Sequence, residues 1–326
     1  MKKPAYRVLL TDADRFPISP ENRNVLAELG AELIEAQSHI DEESLAEACR
    51  EVDAVLVYGT KMTGKVIDRM ARCRIMARCG IGYDNIDVQA ARAKGIAVTY
   101  VPDYCIEEVS DHTIALLFDG LRKISSGSER VKQGFWDPYE KLGKMRRITT
   151  QIIGLYGFGR IAQAVARKLR GFNPAGLIAC DPYAQPAFMK EQGVTPASED
   201  ELLTQADILL LLLPLTAQTR HIINRDAIGK MKPGVILINT SRGGLVDESA
   251  LIPALTTGRI GAAGLDVLES EPPGPDHPLL RFPQVTITPH SAAFSEKALS
   301  ELIDRAVQEV CRVLQGQKPS TPIPVQ

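Results

Sequence analysis

The sequence has almost no imbalance of charge: 38 lysines and arginines stand against 40 aspartates and glutamates, a formal net charge of −2. A chain this close to neutral has no global attraction for nucleic acid or for an anionic membrane surface. Long apolar stretches are also lacking. The longest run, Ile208 to Leu213, is far short of the roughly 20 residues that span a bilayer. The six cysteines (Cys49, Cys73, Cys79, Cys105, Cys180, Cys311) are scattered, with no C-x-x-C pair and no metal-ligand spacing. Isolated thiols in an enzyme-sized chain fit a reducing compartment, and no metal site is expected. Met1-Lys2-Lys3 leads straight into a short strand pattern rather than an apolar signal segment. Together these absences point to a soluble cytoplasmic protein whose partners are neither nucleic acid nor membrane.

What is present is an alternation. The 326 residues are enough for two α/β domains, each burying its own core. Arg7 to Leu10, Glu32 to Ile34, Asp53 to Tyr58, Arg74 to Ala77 and Ile96 to Val98 read as short buried strands. Helical stretches lie between them, near Glu21 to Leu29, Glu43 to Arg50, Gly64 to Met70 and Val88 to Lys94. Such alternation implies a doubly wound parallel sheet. Its informative loop is Arg78-Cys79-Gly80-Ile81-Gly82, whose glycines can turn backbone N–H groups toward a small carboxylate or can simply be a flexible turn. After Pro102 a long helix is expected from Ile106 to Lys123, with Val109, Thr113, Leu116, Leu117 and Leu121 on its apolar face. His112 within it reads as a packed or interface histidine. The only tryptophan, Trp136, sits in a segment that reads as a projecting arm.

The organising stretch is Gln151 to Ala162, QIIGLYGFGRIA. An apolar strand enters Gly157-Phe158-Gly159-Arg160-Ile161-Ala162, a G-x-G-x-x-A pattern, and an amphipathic helix leaves it. The first glycine allows the turn, the second lets a pyrophosphate approach, and the small Ala162 lets helix and strand pack closely. A second apolar run, Gly176 to Cys180, ends in Asp181. An acid at that place binds the adenosine ribose hydroxyls of NAD, so NAD is the expected cofactor.

Further strands follow at Asp207 to Leu213, Gly234 to Ile238, Gly261 to Leu265 and Val285 to Ile287, before a final helix from Glu296 to Gln315. Each strand delivers special residues at its carboxyl end, where ligands bind in open α/β sheets. Three of them form a chemical set. Arg242 offers a planar fork for a carboxylate. His290 can carry a proton to or from a carbinol oxygen. Glu271 can pair with His290, with Glu269 the alternative carboxylate. Each alone reads equally well as a surface ion pair, a solvated acid or a loop histidine. On successive strand ends of a dinucleotide domain they describe hydride transfer to and from a 2-oxo acid.

The motifs GFGRIA, NTSRGGLVDE (Asn239 to Glu248), GLDVLESEP (Gly264 to Pro272) and TPH (Thr288 to His290) resemble those of the D-isomer-specific 2-hydroxyacid dehydrogenase family, over nearly the whole chain. The resemblance implies Arg242 as substrate anchor and Glu271 with His290 as the acid/base pair. It implies Asp266 near the nicotinamide carboxamide, and Pro214, Thr219, Thr240 and Ser241 lining the cofactor site beside Gly157 to Ile161. Arg78, Gly80, Ile81 and Gly82 would bind the substrate carboxylate. The implied fold is α/β, two doubly wound parallel-sheet domains with the active site in the cleft between them. Residues 1–100 plus 290–326 would form the substrate domain and 101–289 the NAD-binding domain, through which a homodimer would form. The loop RCGIGYDNID and the endings ESEP and PHSAAFSE are similar to the C-terminal binding protein branch. Ala293 stands where that branch has a tryptophan, and Leu212 where a histidine is common. Ile81 replaces the lysine of phosphite dehydrogenases. With no regulatory domain expected after the last helix, the implied alternatives are an NAD(H)-sensing scaffold and a phosphoglycerate dehydrogenase without that domain.

Overall fold

The computed structural model describes residues 4–136, 141 and 143–324. Met1–Lys3, on which the expectation of no signal segment rests, lie outside them. The chain divides into two compact units, one built from Met1–Tyr104 with Ser295–Gln326 and the other from Cys105–Phe294.

The first unit alternates β1 (Tyr6–Leu10), α1 (Pro20–Glu28), β2 (Ala31–Glu35), α2 (Glu42–Cys49), β3 (Ala54–Val57), α3 (Gly64–Arg69), β4 (Ile75–Arg78), α4 (Val88–Ala93) and β5 (Ala97–Thr99). Each of these four helices starts on a side-chain cap: Ser19, Asp41, Thr63 and Asp87 accept N–H bonds from Asn22, Ser44, Val66 and Ala90. Caps of this kind stabilise a helix by about 0.5–2 kcal/mol each, which matters for helices this short. All five strands run parallel in the order β2-β1-β3-β4-β5. Strand order reverses at β1/β3, the switch point of a flavodoxin-like sheet.

The second unit opens with α5 (Ile106–Arg122), which ends at Lys123 in the left-handed region (φ 59°) and turns directly into α6 (Ile124–Lys132). The sequence gives only a weak signal for α6, because none of its residues is buried and Ser125, Ser126 and Gly127 favour no helix. Then come β6 (Ile152–Tyr156), α7 (Arg160–Leu169), β7 (Gly176–Cys180), α8 (Pro186–Glu191), β8 (Thr195–Pro196), α9 (Glu199–Gln205), β9 (Ile208–Leu211), α10 (Arg225–Lys230), β10 (Val235–Asn239), α11 (Glu248–Thr256), β11 (Ile260–Leu265) and β12 (Val285–Ile287). The seven strands form one parallel sheet, β12-β11-β10-β9-β6-β7-β8. It is the dinucleotide-fold order, extended by one strand and reversing at β6/β9. The expected class, two parallel-sheet α/β domains, is what the chain adopts.

Helix α5 lies against this sheet with Val109, Thr113, Leu116, Leu117 and Leu121 buried, the face expected from its periodicity. Gly264 on β11 permits the approach: a β-carbon there would stand 2.9 Å from Leu116 Cβ. Leu117 is fully buried in the core on this side of the sheet. Leu117→Ala is expected to cost about 2–5 kcal/mol, read as a lowered Tm with both sheets retained by circular dichroism.

The chain returns to the first unit through α12 (Glu296–Leu314). Leu302, Ala306, Val307, Val310 and Leu314 pack on Val8, Leu10, Leu56, Ile75 and Ala77. Arg74 caps the helix end by donating to the carbonyls of Leu314 (3.0 Å) and Val313 (2.9 Å). Among the described residues no helix is long and apolar enough to cross a membrane.

Candidate active site

The glycine turn leaves β6 at Gly157, whose φ of 93° favours glycine. A β-carbon there would also lie 2.5 Å from the carbonyl oxygen of Leu212. Gly159 is the N-cap of α7, and no side chain caps this helix. A β-carbon on Gly159 would meet nothing within 4 Å. Uncapped first-turn N–H groups beside open space are what a pyrophosphate requires. Ala162 is fully buried, and Phe158 nearly so. Asp181, at the end of β7, accepts the N–H of Phe158 through Oδ2 (2.7 Å) and that of Tyr183 through Oδ1 (2.8 Å). The same carboxylate that would meet a ribose therefore also braces the glycine turn. These residues fit a dinucleotide.

The other residues expected at the cofactor are accounted for by short-range bonds. Thr219 Oγ1 donates to the Pro214 carbonyl (2.7 Å), closing the turn after β9. Ser241 Oγ donates to the Leu211 carbonyl (2.9 Å). Thr240, 9% exposed, shares a hydrogen bond with Thr113 of α5 (2.7 Å), so its hydroxyl ties helix to sheet.

The chemical set sits on three adjacent strand ends. After β10, Asn239 Nδ2 donates to the Arg242 carbonyl (2.8 Å), and Arg242 Nη1 donates to the Ser241 carbonyl (2.8 Å). After β11, Glu271 takes the Leu268 N–H on Oε1 (2.9 Å) and faces His290 Nδ1 with Oε2 (2.7 Å). Burial raises the Glu271 carboxyl, but the His290 hydrogen bond and charge, the Leu268 N–H and the Arg242 charge outweigh it, leaving the group below its ordinary 4.5. Glu271 is thus a carboxylate at neutral pH, an acceptor only, and His290 presents Nδ1–H to it. That leaves Nε2 of a half-exposed ring for a substrate.

Sequence reasoning misses how the Glu271 loop is clamped. Gly243, next to Arg242, lies directly under it: a β-carbon would fall 1.9 Å from the Leu268 carbonyl carbon. Glu248 accepts the Glu269 N–H (2.9 Å) and faces His277 Nε2 (3.1 Å). Glu269, the alternative partner for His290, is instead paired with His221. These contacts join residues 21 to 48 positions apart, which no periodicity signals.

His290 itself has φ 51°, a left-handed conformation costing a residue with a β-carbon about 1–3 kcal/mol. Its N–H donates to the Asp266 carbonyl (2.9 Å). Asp266, 2% exposed, takes Thr288 Oγ1 (2.5 Å) and the N–H groups of Ser291 (2.9 Å) and Ala292 (2.9 Å) on its carboxylate. His112 is more than a packing residue: its Nε2 lies 2.9 Å from Thr288 Oγ1.

In the first unit, Arg78 folds back over its own loop. Its Nε donates to the Gly82 carbonyl (2.7 Å), and its Nη1 bonds the Cys79 carbonyl. The Gly80 N–H (φ 155°) donates to the Arg78 carbonyl (3.0 Å), so this amide is engaged within its own loop. Among the described residues no group of three or more His, Cys, Asp or Glu side chains could hold a metal ion.

Residues 114–292 match the sequence profile of the D-isomer specific 2-hydroxyacid dehydrogenase NAD binding domain. The chain is 37% identical over 313 residues to a hydroxypyruvate reductase of Thermotoga maritima, covering 94% of this chain and 98% of that one. It is 36% identical over 313 residues to a D-3-phosphoglycerate dehydrogenase of Methanocaldococcus jannaschii, covering 95% of this chain and 58% of that one. Against most of the curated relatives it matches, the chain spans about half their length. Among solved structures, D-lactate dehydrogenase of Aquifex aeolicus complexed with NAD and lactic acid superposes with a TM-score of 0.85 at 29% identity, covering 95% of this chain and 96% of that one. The strand-end set thus lies within the stretch that matches a known cofactor domain, and the chain belongs to the D-isomer specific 2-hydroxyacid dehydrogenase family, with residues 114–292 as its NAD-binding domain.

Proposed function

We propose that the chain is an NAD-dependent oxidoreductase interconverting a 2-oxo acid and the D-2-hydroxy acid. The observation that carries this reading is the 2.7 Å His290–Glu271 pair, within reach of the Arg242 charge and on the same sheet edge as the glycine turn. The Gly157–Ala162 turn would hold the pyrophosphate and Asp181 the adenosine ribose; when bound, the nicotinamide supplies or accepts the hydride. Arg242 holds the substrate carboxylate in its fork and polarises the neighbouring carbonyl. In reduction, His290 gives the Nε2 proton to the carbonyl oxygen as charge develops there; in oxidation it takes that proton back. Glu271 fixes the ring through Nδ1 and offsets the imidazolium charge. Amides of Ile81 and Gly82, beside Arg78, are assigned to carboxylate binding as well.

The relative named hydroxypyruvate reductase supports a short hydroxylated 2-oxo acid. The relatives named D-3-phosphoglycerate dehydrogenase support its phosphorylated counterpart as the second reading. NADH oxidation followed by absorbance with glyoxylate, hydroxypyruvate, phosphohydroxypyruvate and longer 2-oxo acids separates them. Turnover with none of these, together with tight NADH binding, would favour the sensing scaffold. We assign pairing of two copies to the second unit, whose Ile124, Val131, Phe135 and Trp136 are exposed; sedimentation equilibrium at twice the chain mass is the expected result.

Asp181 is expected to set a preference for NADH, since a 2′-phosphate would meet a carboxylate of like charge. Asp181→Ala should narrow the gap between NADH and NADPH without reversing it. Because Asp181 also braces Phe158, NADH affinity should fall in the same variant. A native preference for NADPH in parallel titrations would overturn the assignment.

A further inference from the structure

The turn that carries His290 rests on a buried carboxylate, and that carboxylate is reached from α5. Asp266 is an acceptor only, so the Thr288 hydroxyl proton points to Asp266 Oδ1 (2.5 Å). The hydroxyl has no second proton, and its 2.9 Å contact with His112 Nε2 makes His112 the donor. Nε2–H of His112 therefore bonds Thr288, which bonds Asp266, whose two oxygens also take the N–H groups of Ser291 and Ala292. The Asp266 carbonyl takes the N–H of His290. His112 Nε2 lies 3.6 Å from Asp266 Oδ1 as well. Helix α5 is a firm mount for this donor, since Thr113, the next residue, bonds Thr240 and Leu116 packs against Gly264. The backbone around the left-handed His290 is thus held by Asp266 and the Thr288 carbonyl, and His112 reaches this cluster from α5.

We propose that His112 is a positioning residue for the proton carrier: through Thr288 and Asp266 it holds the turn that aims His290. The proposal rests on reading His290 as the proton carrier, and His112 itself touches no reacting atom. Displacing a catalytic group by a fraction of an ångström lowers turnover while leaving ground-state binding largely intact.

The test uses the full chain with hydroxypyruvate or whichever 2-oxo acid it turns over best. His112→Leu is expected to lower kcat about tenfold, with KM and the NADH dissociation constant, read by fluorescence quenching, changed by less than about twofold. His112→Gln, whose side-chain amide places an N–H near the Nε2 position, should recover most of kcat. Thr288→Val should show the same loss, and the double variant should be no worse than Thr288→Val alone, as for two members of one chain of bonds. If His112→Leu does not fold, His112→Asn, which is too short to reach Thr288, takes its place in the comparison with His112→Gln. Native kcat in His112→Leu, additive losses in the double variant, or a loss confined to NADH affinity would overturn the proposal. His290→Ala is run alongside. If it keeps turnover, the reading of His290 falls and the proposal with it; if it is inactive while His112→Leu is native, only the proposal falls.

Discussion

Arg242→Lys is expected to lower kcat/KM for 2-oxo acids by on the order of 10²-fold or more, with NADH affinity little changed. The substitution keeps the charge and removes the fork. A guanidinium can hold both carboxylate oxygens by parallel bonds and still lean on the Ser241 carbonyl, as Nη1 does here at 2.8 Å; an ammonium cannot keep that planar geometry. The backbone under it does not depend on the side chain, since Asn239 holds the Arg242 carbonyl and Gly243 packs beneath the Leu268–Glu269 peptide. The Tm should therefore stay close to native, which separates a lost substrate contact from a lost fold. Near-normal turnover in this variant would make Arg242 a structural residue and remove the anchor from the mechanism.

His290→Ala should lower turnover in both directions by about 10²–10⁴-fold, the usual contribution of a positioned acid–base group, and leave NADH binding intact. Glu271→Gln gives the more informative profile. The Glu271 carboxyl lies below its ordinary 4.5, so the stabilisation it gives the pair is complete above that value and is lost only as pH falls through the depressed one. Reduction by the native protein should therefore not lose this partner between neutral pH and pH of about 5. With glutamine the shape stays and the negative charge goes, at every pH. The imidazolium is then less favoured, and the basic limb of the rate profile for reduction should move to lower pH. Oxidation needs the neutral ring, so its acidic limb should move the same way. An unchanged profile, with chemistry shown to be rate-limiting, would mean that Glu271 does not tune the proton carrier; Glu269 is no substitute, being paired with His221.

Much of this was legible because local rules decided it. The run from Ile208 is buried on both faces of a central strand, as an unbroken apolar segment must be. The glycine turn and the α5 face follow from steric and periodic demands that act within a few residues. Arg242, Glu271 and His290 stood out because each ends a strand, and parallel strands bring their ends to one edge. What periodicity could not show was pairing across long separations. His112 and Thr288 are 176 positions apart, and on α5 the histidine breaks no pattern. The Gly80 amide closes on the Arg78 carbonyl two residues back, a local bond that the loop's glycines do not announce. Helix α6 is hard to read from sequence because it buries none of its residues.

The return of α12 to the first unit sets a schedule for synthesis. Tyr6 Oη donates to the carbonyl of Leu314, 308 residues later (3.1 Å), and one face of the first sheet is covered by this last helix together with Leu26 of α1. On the ribosome, β1 to β5 emerge early, yet the cluster of Val8, Leu10 and Leu56 stays incomplete, with only the α1 side in place, until the closing segment appears. The second unit is continuous in sequence and can complete its core in the interval, since domains fold as units. The nascent chain therefore leaves the α12 side of its first apolar sheet face open for most of translation, and that part, rather than the nucleotide fold, is where a chaperone would be needed.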